Sequence, residues 1–107
     1  MQLAAPAAIA GTADTVAFLA ARPRLFAEAP GRAVGSVVFA ALWTTLAVRC
    51  SLERQRPSAA TVVLAGTVAA ANAAMVAVHV RHRIASPRVF AGAALSVVAL
   101  ADVLRRR

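Results

Sequence analysis

Ala33 to Leu52 reads AVGSVVFAALWTTLAVRCSL, an apolar run whose only charge, Arg49, stands close to one end. At about 1.5 Å of rise per residue, a helix of that length crosses a hydrocarbon core of about 30 Å. A second run follows it. Ala59 to Val80 reads AATVVLAGTVAAANAAMVAVHV, with Pro57 and Ser58 before it as a start signal and Arg81 directly after it. Val89 to Leu104, VFAGAALSVVALADVL, is short for a span by itself. Ser86 and Pro87 extend it backward as N-cap and first helical residue, and the terminal arginines snorkel outward.

The N-terminal stretch, Leu3 to Ala21, is conditional, because Pro6, Gly11, Thr12 and Asp14 interrupt it. A central Asp costs about 2.5 to 3.5 kcal/mol on insertion scales, against about 0.3 to 0.6 gained for each Leu, Ile, Phe or Val. Leu3, Ile9, Val16, Phe18 and Leu19 barely offset that cost. The segment is expected to cross where later helices shelter Asp14, and otherwise to lie at the interface as a helix starting near Thr12. The expected fold is all-α: a polytopic bundle of four transmembrane helices over about 3–21, 33–52, 59–80 and 87–104, forming one domain over 1–107.

Composition agrees with lipid as the solvent. The 107 residues are 61% hydrophobic, and mean hydropathy is +0.72, both well above the soluble average. The net charge of +8 would suggest nucleic acid in a soluble protein, so the placement of the charges decides. Every basic residue is Arg, and the arginines stand between the apolar runs: Arg22, Arg24 and Arg32; Arg49, Arg54 and Arg56; Arg81, Arg83 and Arg88; Arg105, Arg106 and Arg107. That is the layout of membrane-flanking anchors, since a guanidinium at a helix end reaches the headgroups while its stem stays in hydrocarbon. No nucleic-acid partner is expected, because no folded face gathers four such clusters. A lone Cys50 excludes an intrachain disulfide. The residues before the first apolar stretch carry no Arg or Lys, unlike the start of a secretory signal peptide. The connections, Arg22 to Arg32, Glu53 to Ser58 and Arg81 to Arg88, are too short for a soluble domain.

An excess of Lys and Arg on one side normally sets orientation. Here the first and third clusters fall on one side and the second and fourth on the other, six arginines facing six. A chain so balanced can insert both ways up and pair as an antiparallel homodimer. In its length, its four predicted helices and its weak charge bias it resembles two families, the small multidrug resistance transporters and the dual-topology fluoride channels. The former also place an acidic residue in the first helix, where Asp14 stands here. The resemblance is architectural: the aromatic pocket residues of the first family, and the Gly-rich N-terminal motif and Phe-containing third helix of the second, are not recognisable. It therefore transfers no residue role.

Four residues are candidates for a pathway or for helix packing. Asp14 is the one carboxylate deep in an apolar segment, and intramembrane acids tend to face bundle interiors and mark ion or proton routes. The alternatives are a helix cap or a pair with an arginine of another helix. Thr61, Ala65, Ala69, Asn72 and His79 recur at helical spacing and make a face of small and polar side chains, for which close packing is the default and a solute path lined by Asn72 and His79 the alternative. Ser36, Ala40, Thr44 and Ala47, and Gly92 with Ser96, form similar stripes. His79 and His82, with Met75 a turn earlier, raise a metal or haem site. Cys50, the obvious further ligand, falls at the opposite membrane face, so headgroup contact is the expected role and no metal or cofactor is expected. Asp102, spaced to meet Arg105 and Arg106, reads as an exposed ion pair. Trp43 is expected between helices.

No nucleophile with a matching base, phosphate loop or carboxylate pair is present, and no enzymatic activity is expected. The reading is a small multi-pass protein of the cell (inner) membrane, working as a homodimeric small-solute or ion transporter or channel. The alternatives are a non-catalytic accessory subunit of a larger membrane complex, or a phage holin-like pore former. Its partners are the bilayer and either a second copy or a larger assembly.

Overall fold

The computed structural model describes residues 3–53 and 55–107. Five helices follow in order: α1 (Ala4–Ala20), α2 (Leu25–Glu28), α3 (Pro30–Leu52), α4 (Ala59–Arg81) and α5 (Pro87–Arg105). Helix is the only regular structure among the described residues. Helices α3, α4 and α5 are long and apolar enough to cross a membrane. Between 22% and 33% of each is buried within the bundle, so most of their apolar surface faces outward, as lipid rather than water requires. The long axis of the bundle is 43 Å, which matches a bilayer with its headgroup layers, about 40 to 45 Å. The chain is a small membrane protein.

The helix limits have local causes. Pro30 and Pro87 each open a helix within its first two positions, where the missing N–H has no helical partner to lose. This carries α3 three residues upstream of Ala33. Ser58 caps α4 by accepting the Thr61 N–H at 3.3 Å, whereas Ser86 occupies the N-cap of α5 without a side-chain cap bond. Helix α4 ends as a Schellman turn: the Ile84 N–H reaches the His79 carbonyl at 2.8 Å, and the Arg83 N–H reaches that of Val80 at 3.1 Å. Arg83 takes the left-handed position, φ 56°, where Gly is usual. The connection after α1 holds the one-turn α2, which packs on α3 and was not expected from the sequence.

Helix α1 does not start near Thr12. It begins at Ala4 and runs unbroken to Ala20. Pro6 falls in the first turn, where N–H groups lack partners in any case. Thr12 and Thr15 donate their hydroxyls to the carbonyls of Ala8 and Gly11, both at 2.9 Å. At 17 residues α1 is about 26 Å long, shorter than the three spans, and it lies in the bundle against α3 and α5.

The main helices alternate in direction. Both ends of the described chain and the α3–α4 turn share one end of the bundle, while the α1–α3 connection and the α4–α5 turn share the other. Helix α1 packs most extensively on α3, then on α5; α5 packs on α4; α3 and α4, though consecutive, touch far less. The core is built from small residues: Ala4, Ala5, Ala7 and Ala8 of α1, Ala47 and Cys50 of α3, Ala65 of α4 and Ala99 of α5, with Trp43, Leu46, Val68 and Val103 as the bulky members. Small side chains let backbones approach, and van der Waals contact rather than water exclusion then holds helices together in lipid. Trp43, 1% exposed, lies flat against Gly11: a Cβ there would sit 2.5 Å from its ring.

Candidate functional site

Polar side chains gather in three places: the two ends of the bundle and the α4–α5 contact. At the end formed by the close of α1 and the start of α5, Asp14 accepts from the Arg88 Nε through both oxygens, at 3.2 and 3.0 Å. Each side chain is about two-fifths exposed, so the pair sits at the bundle surface. Asp14 is thus matched by an arginine of another helix and caps nothing. Phe18, one turn further along α1, lies beneath two guanidinium groups, those of Arg22 at 4.2 Å and Arg88 at 3.9 Å from the ring centroid.

At the opposite end, Asp102 is buried, 3% exposed, and not the exposed ion pair that its spacing suggested. One oxygen accepts the backbone N–H of Ala4 at 2.9 Å and of Leu3 at 3.1 Å. It thereby satisfies two unpartnered donors of the first turn of α1 and places negative charge at that helix's positive end. Arg105 and Arg106 pair with the same carboxylate, as expected. Nearby, Glu53 accepts the Thr61 hydroxyl at 2.7 Å and the Ser58 N–H, with Arg49 at 3.5 Å. The Thr61 bond, with help from Ser58 and Arg49, holds the Glu53 carboxyl down to about 2, from an ordinary 4.5.

In the α4–α5 contact the small and polar stripe of α4 turns inward at Thr61, Ala65, Val68 and Asn72. Asn72 donates to the Val68 carbonyl at 2.8 Å, and its Oδ1 faces Gly92, where a Cβ would come within 3.1 Å of it. Ser96, also buried, donates to the Ala93 carbonyl at 2.7 Å. His79 Nδ1 lies 2.8 Å from the Met75 carbonyl. These bonds stay within single helices, and the small residue Gly92 lets α4 and α5 approach closely at Asn72. No family model, curated protein or solved structure matches the chain.

The structure separates the sequence candidates. Asp14 lies at one end, Thr61 at the other, Asn72 between α4 and α5, and His79 in the last turns of α4. They do not converge. Cys50, buried in the last turns of α3, is near Glu53, Asp102 and Arg106, far from His79. Among the described residues no group of three or more His, Cys, Asp or Glu could hold a metal ion. Of the flanking arginines, Arg22, Arg24, Arg32, Arg56, Arg81, Arg83, Arg105 and Arg107 are exposed, and Arg49, Arg88 and Arg106 are half-buried. Arg54 lies outside the described residues. Sequence reasoning missed the Phe18 stack and the Asp102 link to α1. The first had a local signal, since Phe18 and Arg22 are four apart; the second joins residues 98 apart.

Proposed function

We propose that the chain is a small transporter or channel for an ion or small solute in the cell membrane, working as a homodimer of oppositely oriented copies with its pathway between them. The observation that carries this reading is charge balance. By sequence position each end of the alternating bundle bears six arginines and two carboxylates: Asp14 and Glu28 at one, Glu53 and Asp102 at the other. With no difference to read, insertion has no preferred direction. A route between copies is favoured over one through a single chain because the centre is filled by Trp43, Leu46, Val68 and Val103. The outward polar groups of α3 and α4 include Thr44, Thr45 and Thr67, whose hydroxyls donate to their own helices at 2.7 to 2.8 Å. Their oxygens keep lone pairs that can accept from a solute or meet a cation.

The test is a C-terminal tag read by two reporters, each active on one side of the membrane, together with crosslinking in mild detergent. Signal from both reporters and a crosslinked dimer are expected; a single orientation with no self-association refutes the proposal. A second reading, a non-catalytic subunit of a larger complex, is favoured by the outward small residues Ala70, Ala73, Ala74 and Ala77 of α4, which suit close approach by a foreign helix. Its mark would be co-purification with a different chain and instability when expressed alone.

A further inference from the structure

Two guanidinium groups share the Phe18 ring, yet Arg22 comes from the turn after α1 and Arg88 from α5, and Asp14 neutralises only one of them. Among the described residues Arg22 makes no ion pair. Arg22 differs from the other exposed arginines in being held against an aromatic ring. The stack therefore leaves an unmatched positive charge on a fixed support. From these observations we propose that Phe18, Arg22 and Arg88 form a binding site for the phosphate of an anionic phospholipid.

The spacing suits one phosphate. A guanidinium grips phosphate through paired N–H···O bonds of about 2.8 Å, which sets the phosphorus about 4 Å from the guanidinium carbon. The carbons of Arg22 and Arg88 can stand no farther apart than their two distances to the ring centroid taken together. Arg22 is exposed and stands in the turn after α1, so a small rotation of its side chain lets one phosphate beside the ring be shared by both. Asp14 occupies the Nε of Arg88 and leaves the terminal nitrogens for the ligand.

The position of the site favours a lipid as the source. Phe18 lies in the last turn of α1 and Arg88 in the first turn of α5, so the acyl chains of a lipid held there would run inward along the apolar surface of these two helices. On the other side, the turn after α1 forms an open cavity of about 310 Å³ lined by Ala21, Arg22, Pro23, Arg24, Leu25 and Glu28. It is large enough for the polar group that the phosphate carries, and Arg24 and Glu28 offer it hydrogen bonds. The site thus stands at the boundary between hydrocarbon and water, where a phospholipid places its phosphate.

The experiment is equilibrium binding of fluorescent phosphatidylglycerol to the purified full chain in nonionic detergent. Wild type should saturate near one lipid per chain, displaced by unlabelled phosphatidylglycerol but not by phosphatidylcholine or millimolar inorganic phosphate. Arg22→Gln, which leaves the Asp14–Arg88 pair in place, should weaken binding about tenfold. Arg107→Gln, exposed at the opposite end, should change it less than about twofold. Equal losses in the two variants, no loss in Arg22→Gln, or equal competition by phosphatidylcholine would overturn the site. Displacement by inorganic phosphate as effectively as by the lipid would overturn the lipid as its ligand.

Discussion

The contact between Gly11 and Trp43 gives the sharpest test of how α1 sits in the bundle. An alanine Cβ at position 11 would stand 2.5 to 2.6 Å from three atoms of the indole, whereas carbon atoms in good contact are about 3.5 to 4.0 Å apart. The two groups must separate by about 1 Å, and Trp43 has nowhere to go, being 1% exposed. Nor is α1 free to slide, because Asp102 holds its first turn and Arg88 holds Asp14. Overpacking of this kind costs up to about 3 kcal/mol. The Gly→Ala change itself returns about 1 kcal/mol of helix propensity, so Gly11→Ala should lose about 2 kcal/mol net. Gly66→Ala is the control: its Cβ meets nothing within 4 Å, and only the propensity gain remains. Stability can be followed by titrating SDS into nonionic micelles and reading tryptophan fluorescence, which reports on Trp43 alone in a chain with one Trp and no Tyr. In the double variant Gly11→Ala/Trp43→Leu, followed by circular dichroism, the two costs should fall short of additivity by about 1 kcal/mol or more. If Gly11→Ala is as stable as Gly66→Ala, the packing of α1 on α3 described above is wrong.

Other outcomes follow from the polar ends. Glu53 has a folded pKa of about 2 against an ordinary 4.5, so its contribution is complete above pH 4.5 and is lost as pH falls from there toward 2. Unfolding midpoints across that window should fall in wild type by the equivalent of about 1 to 2 kcal/mol more than they do in Glu53→Gln. Arg83 holds a left-handed φ of 56°, so Arg83→Gly should stabilise the chain by about 1 kcal/mol in the same SDS titration. A loss there would mean that the Arg83 side chain contributes more than its backbone costs.

The sequence made some of this legible and not the rest, and the division follows the range of the interactions. Spans α3, α4 and α5 are properties of consecutive residues, and hydropathy with flanking arginines finds them. Helix α3 starts three residues before its apolar run, because Pro30 opens it ahead of Gly31 and Arg32, which hydropathy leaves outside. For α1, every local sign was unfavourable, and every remedy came from a distance. Gly11 looks like a weakness until Trp43 is laid on it, and Asp14 until Arg88, 74 residues away, is set beside it. Asp102 misled in the opposite sense, since Arg105 and Arg106 accounted for it locally and hid its attachment to Leu3 and Ala4. Thr61, Ala65 and Asn72 are all buried on α4, but their spacing alone does not say whether such a face meets a helix or a solute.

The attachment of α1 to α5 at both ends also bears on how the chain is made. The partners that compensate the two weak points of α1, its bare first turn and Asp14, lie on α5, which leaves the ribosome after α3 and α4. Until Arg88 and Asp102 arrive, α1 has no counter-charge and no cap, and α3 and α4 must settle in the bilayer without it being locked. The bundle therefore closes from α5 backward. A chain ended before Pro87 should leave α1 open to protease while α3 and α4 stay protected, and the order in which the helices are written is not the order in which they become secure.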